Sequence, residues 1–303
     1  MTAPPSPGIH LVHKPVGHTS FQLVQAFMEE VRLSGLRRDK LPVSHAGALD
    51  PFASGLVLLL AGQATRLMDL IHPAPKTYLA TVAWGLETDN GDLLGQPVSR
   101  GDPSGLTEAQ LDAALQRFTG WHDQVPPAFS NKRVGGERAY EKAHRGEEVV
   151  LPPSRVYLHS AELVRHELPG RSTLRLVTGG GYYVRSLARD LGRALGCFAH
   201  LQALAREQIG PWRDPGEGPR VALRGRALFP WCRSRSLSPR ELAQLRNGEA
   251  LEPGAIEAPE WPLPPGYPDP DAPIRGFAQD GLHALLRERE GKLHAAPLLK
   301  APL

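Results

Sequence analysis

The chain has 303 residues, 41% of them hydrophobic and 22% charged, with a formal net charge of +3. This length allows one large domain and a small one. The sequence has no run of about 18 apolar residues, so no membrane-spanning helix is expected. The N-terminus lacks the charged and apolar regions of a secretory signal. Two cysteines, Cys197 and Cys232, suit a reducing cytoplasm. Neither they nor the scattered histidines have zinc-site spacing, so no metal is expected.

The first elements are a predicted strand and a predicted helix. Gly8 to His13 is apolar enough for a short strand that runs into a turn at Pro15. Thr19 and Gln22 have the spacing of a capping box, which predicts the start of a helix. The buried face of that helix follows a helical period: Val24, Phe27, Met28 and Val31.

The stretch from Ser44 to Gly55 is the most informative part of the chain. It predicts a loop that carries Asp50, the only charge between Lys40 and Arg66, ahead of a buried strand of six apolar residues. Pro51 and the two flanking glycines favour a rigid turn. An aspartate has an unperturbed pKa of about 3.9, so it is ionised at neutral pH and can act as a nucleophile. An isolated Asp-Pro pair, however, is also a common turn.

Further helices and strands are predicted after this loop. We expect a short helix over residues 64–71, a strand over 76–85 that contains Tyr78, and a hairpin turn at Asn90-Gly91. A helix capped by Thr107 follows, then strands over 156–163 and 174–177, and then a helix that starts after three glycines and ends at Gly196. Arg185 is predicted to lie off the buried face of this last helix. Residues 124–145 mix aromatic and basic side chains, which suits RNA binding.

The C-terminal third is predicted to form a second, smaller domain. Residues 214–220 read as a linker, and Ser238 caps a helix. Eight prolines between residues 253 and 273 predict an exposed loop or linker. Three short strands over 274–278, 282–287 and 293–299 then form a β meander, with a turn at Asp280-Gly281.

Three groups of basic residues are candidates for phosphate contacts, although each could also be an ordinary solvated face. They are Arg32, Arg37, Arg38 and Lys40; Lys132, Arg133, Arg138, Lys142 and Arg145; and Arg220, Arg224, Arg226, Arg233 and Arg235.

Several motifs together resemble the TruB family of tRNA pseudouridine synthases. The family's signature loop, Gly-x-Leu-Asp-Pro-x-Ala-x-Gly, matches residues 47–55, preceded by the His-Ala-Gly of residues 45–47. Further matches are Tyr78, Phe129-Ser130, Tyr140-Glu141, Gly181-x-Tyr183-Val184-Arg185-Ser186-Leu187, Asp190-Leu191-Gly192, Leu204, Arg206 and Gly210-Pro211. Two positions depart from the pattern: His13 stands where the family has Asp, and Ala205 replaces an arginine.

The resemblance covers most of residues 8–212 and implies a fold. That fold is α+β, a pseudouridine synthase fold with a curved, mostly antiparallel sheet flanked by helices, followed by a small PUA-like β-barrel domain. The expected domains are a catalytic domain over residues 1–213, with an RNA-covering insertion at about 124–150, a linker over 214–234 and the PUA-like domain over 235–303.

The resemblance also implies an activity, the conversion of uridine at conventional position 55 of the tRNA T loop to pseudouridine. Asp50 would be the nucleophile, paired with Arg185, and Tyr78 a candidate base. Tyr78, Tyr183 and Leu204 would contact the flipped uracil, His45 could fill the vacated space, and the basic residues, Lys132 and Arg133 among them, would contact RNA. The reaction requires no cofactor. The expected partner is tRNA, bound by a monomer without a guide RNA or a membrane.

Three other functions stay open at this point. A glycosidase acting on nucleosides would need a second carboxylate, for which Asp190 and Glu87 are the nearest candidates. A tRNA-folding chaperone would need the basic groups but not Asp50. A dyskerin-type enzyme would need a guide RNA and usually has longer basic tails.

Overall fold

The computed structural model describes residues 5–35, 41–167, 169–269, 271–279 and 281–303. The predicted basic positions Arg37, Arg38 and Lys40 and the turn residue Asp280 lie outside these ranges. The chain divides into two compact units, one of residues 1–51, 55–74 and 208–303 and the other of residues 52–54 and 75–207. The domain boundaries predicted at 213 and 234 stay predictions.

The first unit contains strands, two short 3-10 helices and three α-helices within its described residues. Its strands are β1 (Gly8–Lys14), β2 (Val43–Ala46), β3 (Ser54–Ala61), β13 (Trp212–Arg213), β14 (Val221–Leu223), β15 (Ser234–Ser236), β16 (Ile274–Ala278), β17 (Gly281–Arg289) and β18 (Lys292–Leu298). Its α-helices are α1 (Ser20–Leu33), α2 (Met68–Ile71) and α6 (Pro239–Arg246), and its 3-10 helices are Gly62–Leu67 and Gly225–Ala227.

Strand β3 is the centre of the first unit, because the apolar run predicted from the sequence buries Leu56, Leu58 and Leu60 completely. Strands β1 and β2 pair with it in antiparallel register, and β14 pairs with the other edge of β1. Helix α1 begins at the predicted capping box, in which the Thr19 side chain accepts from the backbone of Gln22. The short helix predicted over 64–71 is instead a 3-10 helix followed by one α-helical turn.

The C-terminal part of the first unit contains the predicted β meander. Strands β16, β17 and β18 are antiparallel neighbours, and β15 adds to β16 in parallel. Helix α6 starts at the predicted Ser238 capping box. The meander is therefore confirmed, whereas a PUA-like barrel stays a prediction.

The proline-rich stretch has no helix or strand within its described residues, as predicted, and many of these residues are exposed, but some of its side chains contact the core of the unit. Trp261 and Leu263 pack against the core of the unit, the Tyr267 hydroxyl donates to the Pro73 carbonyl at 2.8 Å, and Glu260 accepts from the fully buried Arg275. Proline excludes regular structure but does not prevent packing, so an extended segment with aromatic and charged anchors lies against the core.

The second unit has an antiparallel sheet with helices against it. Its elements are β4 (Lys76–Trp84), β5 (Leu86–Thr88), β6 (Pro97–Arg100), α3 (Glu108–Phe118), β7 (Gly120–Gln124), β8 (Arg133–Val134), β9 (Glu137–Arg138), α4 (Ala139–His144), β10 (Ser154–Glu167), β11 (Arg171–Thr178), α5 (Val184–Ala194) and β12 (Ala199–Ile209), whose last two residues belong to the first unit.

The strands of this sheet lie in the order β12-β4-β11-β10-β7. Strand β4 alternates buried and half-buried residues along its whole length, which is the pattern of a strand with one covered face. Helix α3 has the predicted Thr107 capping box. Helix α5 ends at Ala194 with Leu195 as its C-cap, and the predicted terminator Gly196 follows with a φ of +72°. The mixed α+β class with mostly antiparallel pairing is therefore confirmed. No helix within the described ranges is long and apolar enough to cross a bilayer.

Candidate active site

The loop that carries Asp50 is shorter than the sequence predicts. Residues 43–46 form strand β2, which places His45 opposite Leu59 of β3, so the loop proper begins at Gly47. Gly47 and Gly55 have φ values of +74° and +108°. Residues other than glycine rarely adopt such φ values, so the prediction of unusual dihedrals at both glycines is confirmed. Asp50 itself is half-buried.

Two buried side chains of the first unit anchor this loop. The ammonium of Lys14, which is fully buried, donates to the carbonyls of Pro15 at 3.0 Å, His18 at 2.6 Å and Pro51 at 3.4 Å. The Ser20 hydroxyl accepts from the Leu49 amide at 2.9 Å. The backbone on both sides of Asp50 is therefore fixed by polar contacts that are costly to break when buried.

His13, which stands where the family has Asp, makes a polar contact. The His13 ring lies with Nδ1 2.7 Å from a carboxylate oxygen of Asp214. A histidine facing an aspartate thus ties the end of β1 to the segment after β13.

In the second unit, three predicted or matched residues lie on adjacent strands. Tyr78 on β4 and Leu204 on β12 are both buried, at 8% and 7% exposure. Arg206 on β12 is buried as well, and so is Lys76, two positions before Tyr78. Burial, and secondarily the charge of Arg206, lowers the pKa of Lys76 to about 7. No sequence pattern predicts this buried cationic pair, because lysine and arginine are seldom buried.

Arg185 is predicted to lie off the apolar face of α5, and the structure nevertheless buries it. Its side chain is 5% exposed, and its guanidinium donates from Nη1 to the Asn90 carbonyl at 2.9 Å and from Nη2 to the Phe129 carbonyl at 2.8 Å. Periodicity identifies only the face that packs apolar residues. It does not detect an arginine that satisfies its donors with backbone carbonyls of neighbouring loops. Asp50 and Arg185 belong to different units, and their pairing stays a prediction.

Asp92 is a residue that the sequence reasoning missed. It is buried, and its Oδ2 lies 3.9 Å from Nη1 of Arg185, within the range of an ion pair. Its Oδ1 accepts from Asn90 and from the Leu94 amide, both at 2.8 Å. The Asn90-Gly91 signal predicts only a turn, although the turn holds a carboxylate beside the arginine. The signal that could have found it is an acidic residue directly after Asn-Gly.

Tyr183 is half-buried and forms the N-cap position of α5. No side chain of the helix itself caps this end. Instead, the amide of Gln124 contacts the Tyr183 backbone twice, as donor at 3.1 Å and as acceptor at 2.9 Å.

Lys132 and Arg133 lie in the predicted insertion. Lys132 is half-buried and donates to the Ser154 hydroxyl, whereas Arg133 is exposed and donates to the Gly136 carbonyl at 2.7 Å. The neighbouring cation Arg145, the C-cap of α4, binds both Glu137 and Glu147.

The arginines between residues 220 and 235, the third basic group, mainly contact residues of the first unit. Their contacts are those of Arg220 with Glu30, Arg224 with Ser6 and Pro7, Arg226 with Glu257 and Glu260, and Arg235 with Glu241.

The carboxylates considered for a glycosidase are both engaged by arginines. Glu87, which is buried, is bound by Arg193, and Asp190 is bound by Arg189 at 2.8 Å. Within the described ranges, no three His, Cys, Asp or Glu residues are grouped so that they could hold a metal ion.

The fold is similar to that of solved structures. One, described as the crystal structure of a Cbf5-Nop10-Gar1 complex, superposes with a TM-score of 0.66 over 97% of this chain and 84% of that chain, at 20% identity. Another, an H/ACA RNP bound to a substrate RNA containing 2'-deoxyuridine, gives a TM-score of 0.65 over 98% and 89%, at 18% identity. These likenesses show a shared fold.

Sequence comparison identifies the family. The model of the TruB family pseudouridylate synthase N-terminal domain matches residues 36–184. The tRNA pseudouridine synthase B of Bordetella avium is 40% identical over 210 residues, which cover 69% of this chain and 83% of that protein. The protein of the same name from Rhodopseudomonas palustris is 43% identical over 204 residues, 67% of this chain, and the chain spans 54% of its length. The chain therefore belongs to the TruB family of pseudouridylate synthases.

Proposed function

We propose that the protein is a tRNA pseudouridine synthase that isomerises the uridine at conventional position 55 in the T loop. The observation that carries the proposal is the 40% identity to the tRNA pseudouridine synthase B of Bordetella avium over 83% of that protein's length. The anchored loop around Asp50 supports it, because a nucleophile must be held in one position to act on a bound nucleotide. We propose further that the enzyme acts as a monomer, without a cofactor or a guide RNA.

The proposed chemistry needs one carboxylate. After the uridine has left the RNA stack, an oxygen of Asp50 attacks C1′ as the bond from C1′ to N1 breaks. The uracil then turns, its C5 bonds to C1′ and the bond to Asp50 breaks. A base removes the C5 proton, and N1 gains one. We assign the base to Tyr78, a residue of β4.

The other predicted residues would bind the substrate. In this proposal Tyr78, Tyr183 and Leu204 contact the uracil, while His45 fills the space it leaves, since a ring that stacks on a base contributes about 1–3 kcal/mol. Lys132 and Arg133 would contact the RNA backbone. The C-terminal meander would serve as the PUA-like RNA-binding domain.

The test is an Asp50→Asn variant. Wild-type protein and variant are incubated with unmodified tRNA labelled at uridine C5, and release of the C5 hydrogen is measured alongside tRNA affinity. We expect wild-type turnover without any guide RNA, and no detectable turnover by the variant at nearly unchanged affinity. Turnover by Asp50→Asn would refute the nucleophile, and an inactive wild type would refute the enzyme. A chaperone would instead refold tRNA equally well with either protein.

A second variant tests the role of Arg185. We propose that its guanidinium keeps Asp50 ionised and oriented. Arg185→Ala should then lower the turnover rate by about 100-fold or more, while tRNA affinity changes much less. Equal losses of turnover and affinity would contradict this role and indicate an RNA contact instead.

A further inference from the structure

Gln124 holds the start of helix α5 by an unusual arrangement. It is the last residue of β7 and is 2% exposed. Its Nε2 donates to the Tyr183 carbonyl at 3.1 Å, and its Oε1 accepts from the Tyr183 amide at 2.9 Å. A primary amide has a donor and an acceptor side by side in one plane, so it can match both backbone groups of one residue.

The same segment contacts the next turn of α5. The Val125 carbonyl accepts from the Ser186 hydroxyl at 2.8 Å and from the Arg189 guanidinium at 3.0 Å. The Phe129 carbonyl accepts from Arg185 at 2.8 Å. Five hydrogen bonds therefore connect residues 124–129 with residues 183–189, and Gln124 supplies the two that precede the helix.

These contacts fix two residues of the proposed site. The Tyr183 carbonyl that binds Gln124 also accepts the first bond of the helix, from the Leu187 amide at 3.2 Å. Arg185 follows two residues later and is held at both ends of its guanidinium by carbonyls. A shift of the Tyr183 backbone would thus move the ring of Tyr183 and also the backbone of Arg185, from which the guanidinium reaches these two carbonyls.

We propose that Gln124 is a positioning residue, which sets the Tyr183 backbone and through it the orientation of Arg185 for catalysis. The inference rests on the proposed function and deepens it. Gln124 does not contact the substrate in this account. It acts through the helix start, so its loss lowers the turnover rate and spares tRNA binding.

The first variant is Gln124→Met, which keeps the length of the side chain and removes both hydrogen bonds. We expect kcat for pseudouridine formation to fall by about 10- to 100-fold, because small misplacements of reacting groups have effects of this size. The KM and the dissociation constant for tRNA should stay within about twofold of the wild type.

The second variant is Gln124→Glu, whose kcat relative to the wild type should depend on pH. A protonated carboxyl has one donor and one acceptor and can replace both bonds, whereas a carboxylate cannot donate to the Tyr183 carbonyl. Burial raises the pKa of a carboxyl toward neutrality. The ratio of variant to wild-type kcat should therefore rise as the pH falls from about 8 to 6.

Ser172→Ala is the matched control. Ser172 is also buried in the second unit and accepts from the Trp84 indole at 2.9 Å, at the end of β4 away from Tyr78. Its loss should lower the thermal unfolding temperature and leave kcat unchanged. A purely structural role for Gln124 would give Gln124→Met and Ser172→Ala the same behaviour.

The outcomes separate the two proposals. A wild type that forms no pseudouridine would overturn the proposed function and this inference with it. An active wild type with unchanged kcat in Gln124→Met, or with a rise in KM alone, would overturn the inference only. If Gln124→Met does not fold, the test is the pH dependence of the ratio of Gln124→Glu kcat to wild-type kcat. A ratio independent of pH would overturn the inference.

Discussion

Lys76 illustrates how much a single buried charge can influence this protein. Its ammonium is placed beside Arg206 on neighbouring strands, and burial lowers its pKa to about 7, against 10.5 for an ordinary lysine. Between these two values the unfolded chain holds a proton that the folded chain has lost. Stability linked to Lys76 is therefore gained as the pH rises above 7, and is lowest below 7 where the folded protein must bury the charge.

Replacement by methionine should reveal this linkage. Lys76→Met removes the buried charge, so its gain in unfolding free energy over the wild type should be larger at pH 7 than at pH 9, by roughly 2 kcal/mol. Urea denaturation at the two pH values measures the difference. Lys292→Met, at an exposed lysine paired with exposed Glu252, should show no such pH dependence. An equal effect of Lys76→Met at both values would contradict a lowered pKa.

At the scale of elements, helix α5 depends on one close approach. The carbonyl of Gly192 accepts from the amides of Cys197 and Phe198 at 3.1 and 2.9 Å. A Cβ at Gly192 would lie 2.3 Å from the Ala199 nitrogen and 2.5 Å from the Phe198 carbonyl carbon. The helix and the start of β12 are therefore packed at a distance that only glycine permits.

Gly192→Ala should consequently destabilise the protein. Alanine favours a helix over glycine by about 1 kcal/mol, but the clash is with backbone atoms that cannot rotate away, so we expect a net loss of about 2–3 kcal/mol. Gly105→Ala is the control, because nothing lies within 4 Å of a Cβ there. Thermal unfolding measures both. A Gly192→Ala variant as stable as the control would show that α5 and β12 can separate at little cost.

Elements were predicted well where the signal is local. Capping boxes at Thr19, Thr107 and Ser238 start their helices as expected. The predictions failed where tertiary contacts decide, as in residues 44–46, which were predicted to be part of a loop and instead pair with β3 as a strand. The proline-rich segment is irregular as predicted, but its anchors were not predicted, because Trp261 and Tyr267 find partners far away in sequence.

For the whole molecule, sequence motifs identified the family, but they could not describe the surroundings of the site. Two short motif matches, at residues 47–55 and 181–187, identify Asp50 and Arg185 as candidate site residues. The contacts of Arg185 with Asn90, Asp92 and Phe129 come from two loops that no motif connects with it. Such contacts depend on how distant segments meet, and a linear pattern of residue types carries little information about that.

The pairing of β14 with β1 has a consequence for synthesis. Leu223 pairs with Ile9, 214 positions earlier in the chain. At the usual pace of translation, roughly 10–40 s separate the two residues as they leave the ribosome. During this interval the growing polypeptide has β1 with one edge unprotected, and open edges attract strands of other chains. Biogenesis of this protein therefore includes a vulnerable period that ends only after Leu223 has left the ribosome.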